Sequence, residues 1–265
     1  HLIDFYSVIA ESRYLSEEGL SDELNALVEI IRDSSLQGSG TAENDDSPQL
    51  LSPASEAFAE VLLCEIALKN RDRLALVWDT ILRPHYNSRL TYRPSRAAKT
   101  DEDGRSAAET IRLTPGIEKC VTSILRLCIW TTNRSTAIAN EVLPTLKILH
   151  PPCTLIWSPL LELNLDKHLA EGLWRIAHQN TDSLSQINDD SLSAILDLLE
   201  WCAMRGGLPS GDPLGSKSLA EDDPSLQAFK SLHLILHDVN LKDSLRVEHW
   251  PKIVASVRCL VEAGE

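Results

Sequence analysis

Apolar residues in this chain recur every three or four positions, and strand-type alternation is nearly absent, so the pattern predicts helices almost throughout. A first helix is expected over about 2–14, with Leu2, Ile3, Phe5, Tyr6, Ile9 and Ala10 inward. Ser16-Glu17-Glu18 opens a second, running to about Asp33, with acids in its first turn favouring the helix dipole. Ser52 caps a third helix and Pro53 takes its first position, where a missing N–H costs little. That helix ends near Lys69. Asn70 to Arg73 form a polar corner, and the next helix carries Leu74, Val77, Trp78 and Ile81 on one face. Further helices are expected near 116–132 and 135–149, a short one over Leu155–Leu163, then 166–179, 189–204, 224–238 and 246–263. Three polar stretches, about 34–51, 87–115 and 206–223, read as mobile loops rich in glycine, proline or short polar side chains.

About ten helices of similar length, joined by short corners, predict an all-α fold of stacked helical hairpins, an armadillo/HEAT-like α-solenoid, because one hairpin alone cannot bury its apolar face. The repeat spacing is irregular, and a compact all-helical arrangement is the alternative. The 265 residues fit a single helical domain. No apolar run is long enough for a bilayer and no signal peptide is evident; the chain starts at His1 and reads as an excised piece of a longer protein.

Charge changes this picture locally. The formal charge of −14 opposes binding to nucleic acid or to anionic lipid by the chain as a whole. Residues 1–50 hold eleven acids against two arginines, whereas residues 83–99 hold Arg83, Arg89, Arg93, Arg96 and Lys99 with no acid. That basic segment, interleaved with Tyr86 and Tyr92, is the candidate for an anionic lipid such as a phosphoinositide headgroup. The plainer reading makes it a solvated loop that offsets the acidic helices.

Conventional site chemistry is sparse. Six cysteines stand singly, five within apolar helical patterns, which fits a reducing compartment rather than a disulfide framework. His233 and His237 have helical i, i+4 spacing but no base between them and no evident third ligand, so two histidines at the edge of a core face is the favoured reading. His85, His168, His178 and His249 lack a partner at ligand spacing. No nucleophile elbow, phosphate loop or dinucleotide fingerprint occurs, and neither a metal nor a cofactor is expected. Asn70-Arg71-Asp72-Arg73 is read as a structural corner, with Asp72 capping the following helix and the arginines tying neighbouring repeats through carboxylates. The six tryptophans are expected mostly as core wedges, with Trp157 as a possible contact residue.

Four stretches in order carry a family resemblance. Ile9-Ala10-Glu11-Ser12-Arg13-Tyr14-Leu15-Ser16-Glu17-Glu18 comes first. Ser52 to Phe58 (SPASEAF) follows, with Asn70 to Arg73 and Trp78. Ile117 to Cys128 is third, with Glu118-Lys119 and Leu125-Arg126-Leu127. Ala170-Glu171-Gly172-Leu173-Trp174 through Leu198-Leu199-Glu200 is last. Together they resemble the first homology-downstream-of-Sec-seven regulatory domain of large Arf guanine-nucleotide exchange factors, and SPASEAF resembles the Golgi-acting GBF/Gea/GNOM class. The resemblance implies an all-helical, non-catalytic regulatory and membrane-targeting module, cytoplasmic and peripheral on Golgi membranes, in a protein that supports vesicle trafficking. The implied partners are neighbouring domains of the same exchange factor, the Arf GTPase through the parent protein, and phosphoinositide or lipid-droplet surfaces. It transfers no catalytic residue, because the exchange residues belong to the Sec-seven domain. The alternative is a purely structural scaffold for interdomain or protein–protein contacts that touches no lipid.

Overall fold

The structure, a computed structural model, describes residues 5–37, 53–90, 115–149, 159–179, 181–205, 223–238 and 245–264. Among these the fold is all-α, with no strand, and within each unit helices stack side by side in the solenoid-like manner expected. The chain divides into two compact units. The first comprises residues 1–90 and 113–127, and the second residues 91–112 and 128–265.

In the first unit, α1 (Phe5–Glu11) and a short 3₁₀ turn (Ser12–Tyr14) precede α2 (Glu17–Gln37), α3 (Pro53–Lys69), α4 (Leu74–Val77) and α5 (Arg83–Leu90). Ser16 caps α2, its Oγ accepting from the Gly19 amide at 3.1 Å. Leu20, Leu24, Leu27 and Ile31 form the buried stripe of α2, which packs along α3. Two inward assignments in α1 are corrected: Tyr6 and Ala10 are exposed, and Tyr6 sets its ring edge-on to Phe5 instead.

The run from Leu74 to Leu90 departs from a simple helix. Between α4 and α5 the chain makes a π-helical turn, Trp78–Leu82. Leu74, Trp78, Leu82, Tyr86 and Leu90 are all fully buried, a row spaced by four, with Val77, Ile81 and His85 buried in a second such row beside it. In an undistorted α-helix that spacing would drift about 40° per step and carry Leu90 away from the core. The wider π turn offsets part of that drift. It also lies just before Pro84, whose ring would clash with a regular preceding turn. The expected loop from residue 87 therefore begins later, because α5 continues to Leu90. The rest of that loop, and most of the loops at 34–51 and 206–223, lie outside the described residues.

A single helix, α6 (Pro115–Arg134), contributes residues to both units. Thr131 and Thr132, both buried, donate their hydroxyls to the Cys128 carbonyl at 3.1 and 2.6 Å, a back-bonding that lets polar side chains sit inside. Ser135 then caps α7 (Thr136–Val142). The single helix expected over 135–149 instead continues as a 3₁₀ helix, Leu143–Leu149, around Pro144.

In the second unit, α8 (Pro159–Gln179) is one helix where two were expected. A short α9 (Thr181–Leu184) leads to α10 (Asp189–Arg205), α11 (Pro224–His237) and α12 (Trp250–Gly264). α10 is the hub, packing against the 143–149 segment, α8, α11 and α12. Its residues Leu192, Ile195, Leu196, Leu198, Leu199 and Cys202 are all buried, which explains why its apolar pattern is broader than a single stripe. Asp223 caps α11 through the Ser225 amide at 2.8 Å. Of the tryptophans, Trp78 and Trp201 are core residues, Trp130 and Trp174 are half-buried and Trp250 is exposed; Trp157 lies outside the described residues. The expectation of mainly core wedges is thus met at two positions.

Burial in this aliphatic interior keeps the thiols protonated. It pushes Cys64 up to about 12 and raises Cys120 and Cys128 well above the ordinary range. The folded state therefore holds protons that the unfolded chain releases, so this contribution is complete below the ordinary thiol value of 9.0 and is lost as pH rises from there towards 12. Thermal melts taken between pH 8 and pH 11 should show a falling midpoint above about pH 9. In the native protein at pH 8, iodoacetamide should label half-exposed Cys259 well before Cys64, Cys120 or Cys128. Mass spectrometry of the digested protein reads the order, and equal labelling of all four would contradict the packing described.

Candidate functional site

The first unit contains a buried cluster of charged groups. Glu56 and Glu60 are one turn apart on α3, and His85 and Arg89 one turn apart on α5, so each pair lies on one helix face. Glu60 is fully buried and Glu56 and His85 nearly so. His85 Nε2 lies 3.1 Å from both Glu60 carboxylate oxygens, and Arg89 Nε donates to Glu60 Oε1 at 3.1 Å. Arg89 Nη2 reaches Glu56 Oε1. One guanidinium thus bridges two carboxylates in an apolar interior, where an uncompensated charge would be costly. The third wall is α6. A β-carbon at Gly116 would stand 2.3 Å from Glu56 Oε1, so only glycine admits that carboxylate.

Cys120 on α6 completes a potential ligand set, since ligand atoms of Glu60, His85 and Cys120 all lie within 4.8 Å of one another. The donor chemistry fits a metal poorly. Both Glu60 oxygens face His85, and Oε1 also accepts from Arg89, so the carboxylate is already engaged. A resident cation would also stand beside a guanidinium. The cluster is an ion-pair lock joining α3 to α5.

The corner motif forms a second tie. Asn70 is buried; its Nδ2 donates to Ser12 Oγ at 2.8 Å and to the Ile66 carbonyl at 2.9 Å. Arg73 donates to the carbonyls of Leu15 at 2.7 Å and Ser12 at 3.1 Å, and to Asn70 Oδ1 at 2.5 Å. The expected arginine–carboxylate tie is thus corrected to a clamp on backbone carbonyls, made by Arg73. Arg71 and Asp72 are exposed, and α4 starts behind Arg73 with no side-chain cap, so Asp72 does not cap it. Ser52 lies outside the described residues.

The basic segment is split. Arg83 pairs with Asp79 at 2.9 Å and is partly exposed. Arg89, expected in a polar loop as an anionic-lipid ligand, is turned into the acidic cluster. Arg93, Arg96 and Lys99 lie outside the described residues. His233 and His237 are exposed with stacked rings 5.5 Å apart, and among the described residues no third ligand joins them. An apolar groove of about 510 Å³ runs between α2 and α3, lined by Leu27, Ile30, Phe58 and Leu62; among the described residues no charged group lines it to orient a polar substrate. Among the described residues no helix is long and apolar enough to cross a membrane.

The charged cluster was not legible from ligand spacing, because its residues come from three helices. One signal was present: His85 and Arg89 continue the four-residue spacing of buried positions that begins at Val77. No protein-family model matches the chain, and no solved structure matches it.

Two substitutions test these ties. Arg89→Ala leaves two buried carboxylates without their cation and should destabilise the protein by about 3–5 kcal/mol in urea unfolding. Arg73→Lys keeps the charge but loses the forked geometry, and should cost about 1–2 kcal/mol. Losses of a few tenths, typical of a solvated arginine, would contradict both assignments.

Proposed function

We propose that this chain is a non-catalytic regulatory module of a large Arf guanine-nucleotide exchange factor of the Golgi-acting class, one that helps to place the exchange domain at membranes. The observation that carries the reading is where the resembling stretches meet. Ser12 to Leu15, from the first stretch, is the segment gripped by Asn70 and Arg73 of the second, 58 residues on. Glu56, within SPASEAF, sits against Gly116, one residue before the third. Residues that resemble a family signature are thus spent on holding one helical unit together, as a module acting through surfaces requires.

Under this reading the anionic-lipid role falls to Arg93, Arg96 and Lys99, because Arg89 is committed to the interior. The partners are the neighbouring domains of the exchange factor, the Arf GTPase through the parent protein, and phosphoinositide-bearing Golgi membranes. A scaffold that touches no lipid is the second reading, favoured by the engagement of both described arginines with acids of their own unit.

Vesicle flotation separates the two. Phosphatidylcholine vesicles carrying a phosphoinositide should float the chain, and Arg93→Glu/Arg96→Glu/Lys99→Glu should weaken binding about a hundredfold, from about 1 kcal/mol per basic side chain near the surface. Unchanged flotation would overturn the lipid role. The chain alone should leave the rate of fluorescent GDP release from Arf unaltered; saturable acceleration would overturn the non-catalytic reading.

A further inference from the structure

α12 is apolar on two faces. The inner face, with Ile253 and Ser256 buried, packs on α10, held by Lys252, which donates to Ser193 at 2.6 Å and pairs with Asp197. The outer face is a separate stripe. Val247, in the 3₁₀ turn Val247–His249 that leads into α12, and Trp250, Val254, Val257 and Val261 of α12 itself are all exposed, Val247 by 87% and Val261 by 59%. Within α12, Trp250, Val254, Val257 and Val261 stand at positions d, a, d, a of a heptad seam, with valine at each a. Isolated exposed apolar residues need no explanation; four in register on one helix do.

The stripe continues into a concave site. Val257 also lines a groove of about 190 Å³ between α11 and α12, with Phe229, Leu232, His233, Leu236 and His237. Phe229 is half-exposed there. Between them, α11 and α12 contain one acid, Glu262, against Lys230, Lys252 and Arg258. Lys252 is satisfied from α10. Among the described residues, no carboxylate pairs with Lys230 or Arg258, and Arg258 is exposed at an e position beside the seam.

We propose that this seam and groove dock an amphipathic helix from another polypeptide, one whose apolar stripe is flanked by carboxylates. The charge pattern selects this occupant. A second copy of the chain would bring the cationic flank against its own kind, which disfavours self-pairing. A lipid surface would present a plane where the site is concave. A helix with acids at its flanks fills the groove, completes the heptad layers and pairs with Arg258 and Lys230. The inference stands apart from the exchange-factor reading, since it uses none of the residues that carry the resemblance to exchange factors.

The test uses the full chain and a fluorescein-labelled 21-residue peptide with leucine at heptad a and d and glutamate at e and g, read by anisotropy. Saturable binding is expected, at least about tenfold tighter than for the same peptide with lysine at e and g, one or two ion pairs setting that scale. Val254→Glu/Val257→Glu should abolish binding without lowering the thermal midpoint, since both residues are exposed. Arg258→Glu should reverse the preference towards the lysine peptide. Equal binding of the two peptides, or binding unchanged in the double variant, overturns the proposal. Two further outcomes also overturn it: a sedimenting dimer of the unmodified chain that the double variant loses, which assigns the seam to a second copy, or flotation on phosphatidylserine vesicles that the double variant loses, which assigns it to lipid.

Discussion

A guanidinium inside an aliphatic interior must be neutralised where it lies, and in this protein that requirement settles how three helices meet. Arg89 sits on α5 facing α3, and both carboxylates that neutralise it, Glu56 and Glu60, come from α3. Rotating either helix by one residue would strand a buried charge. His85 sets its Nε2 against both oxygens of Glu60, and Gly116 on α6 leaves room for Glu56. The π turn before α5 belongs to the same arrangement, since without it the four-residue spacing would wind Arg89 away from α3. Replacing such a lock with apolar side chains can preserve stability; breaking it one-sidedly cannot. Its role here is to fix register.

Beside this lock stands the Arg73 clamp, which works by a different principle. Its acceptors are main-chain carbonyls of the 3₁₀ turn and of Leu15, where α1 ends and α2 has not begun and helical partners run short. An arginine satisfies several of them at once because its donors are rigidly forked. The corner sequence from Asn70 to Arg73 thus reads as two buried or half-buried members doing the holding and two exposed members between them. That division is why residues resembling a family signature need no catalytic explanation.

The helices were legible wherever one face met the core. α2 and α6 appear in the sequence nearly where the structure has them, because their apolar positions follow a helical period and their ends carry caps or proline. Misreadings arose where polar residues face inward. His85 and Arg89 lie in a stretch that is arginine-rich and tyrosine-bearing, so it resembled a solvated loop; only their partners on a helix some 25 residues earlier make them interior. The arginine that looked most available for lipid is the least available. The 3₁₀ continuation at Pro144 and the exposure of Trp250 were hidden for a related reason: proline placement and apolar character are local, whereas which face is already occupied is decided by the neighbours of α10. The outer stripe of α12 was visible as apolar residues, but its separation from the inner face emerges only once Ile253 and Lys252 are seen against α10.

The central claim is that Glu60 and Arg89 form a coupled buried pair that sets the register of the first unit. A double-mutant cycle with Glu60→Gln and Arg89→Met, followed by urea denaturation, measures that coupling directly. The account predicts strong non-additivity, with the double variant more stable than the sum of the single losses implies by about 2–3 kcal/mol. Additive losses, within about 0.5 kcal/mol, would show that the two residues act independently and would contradict it.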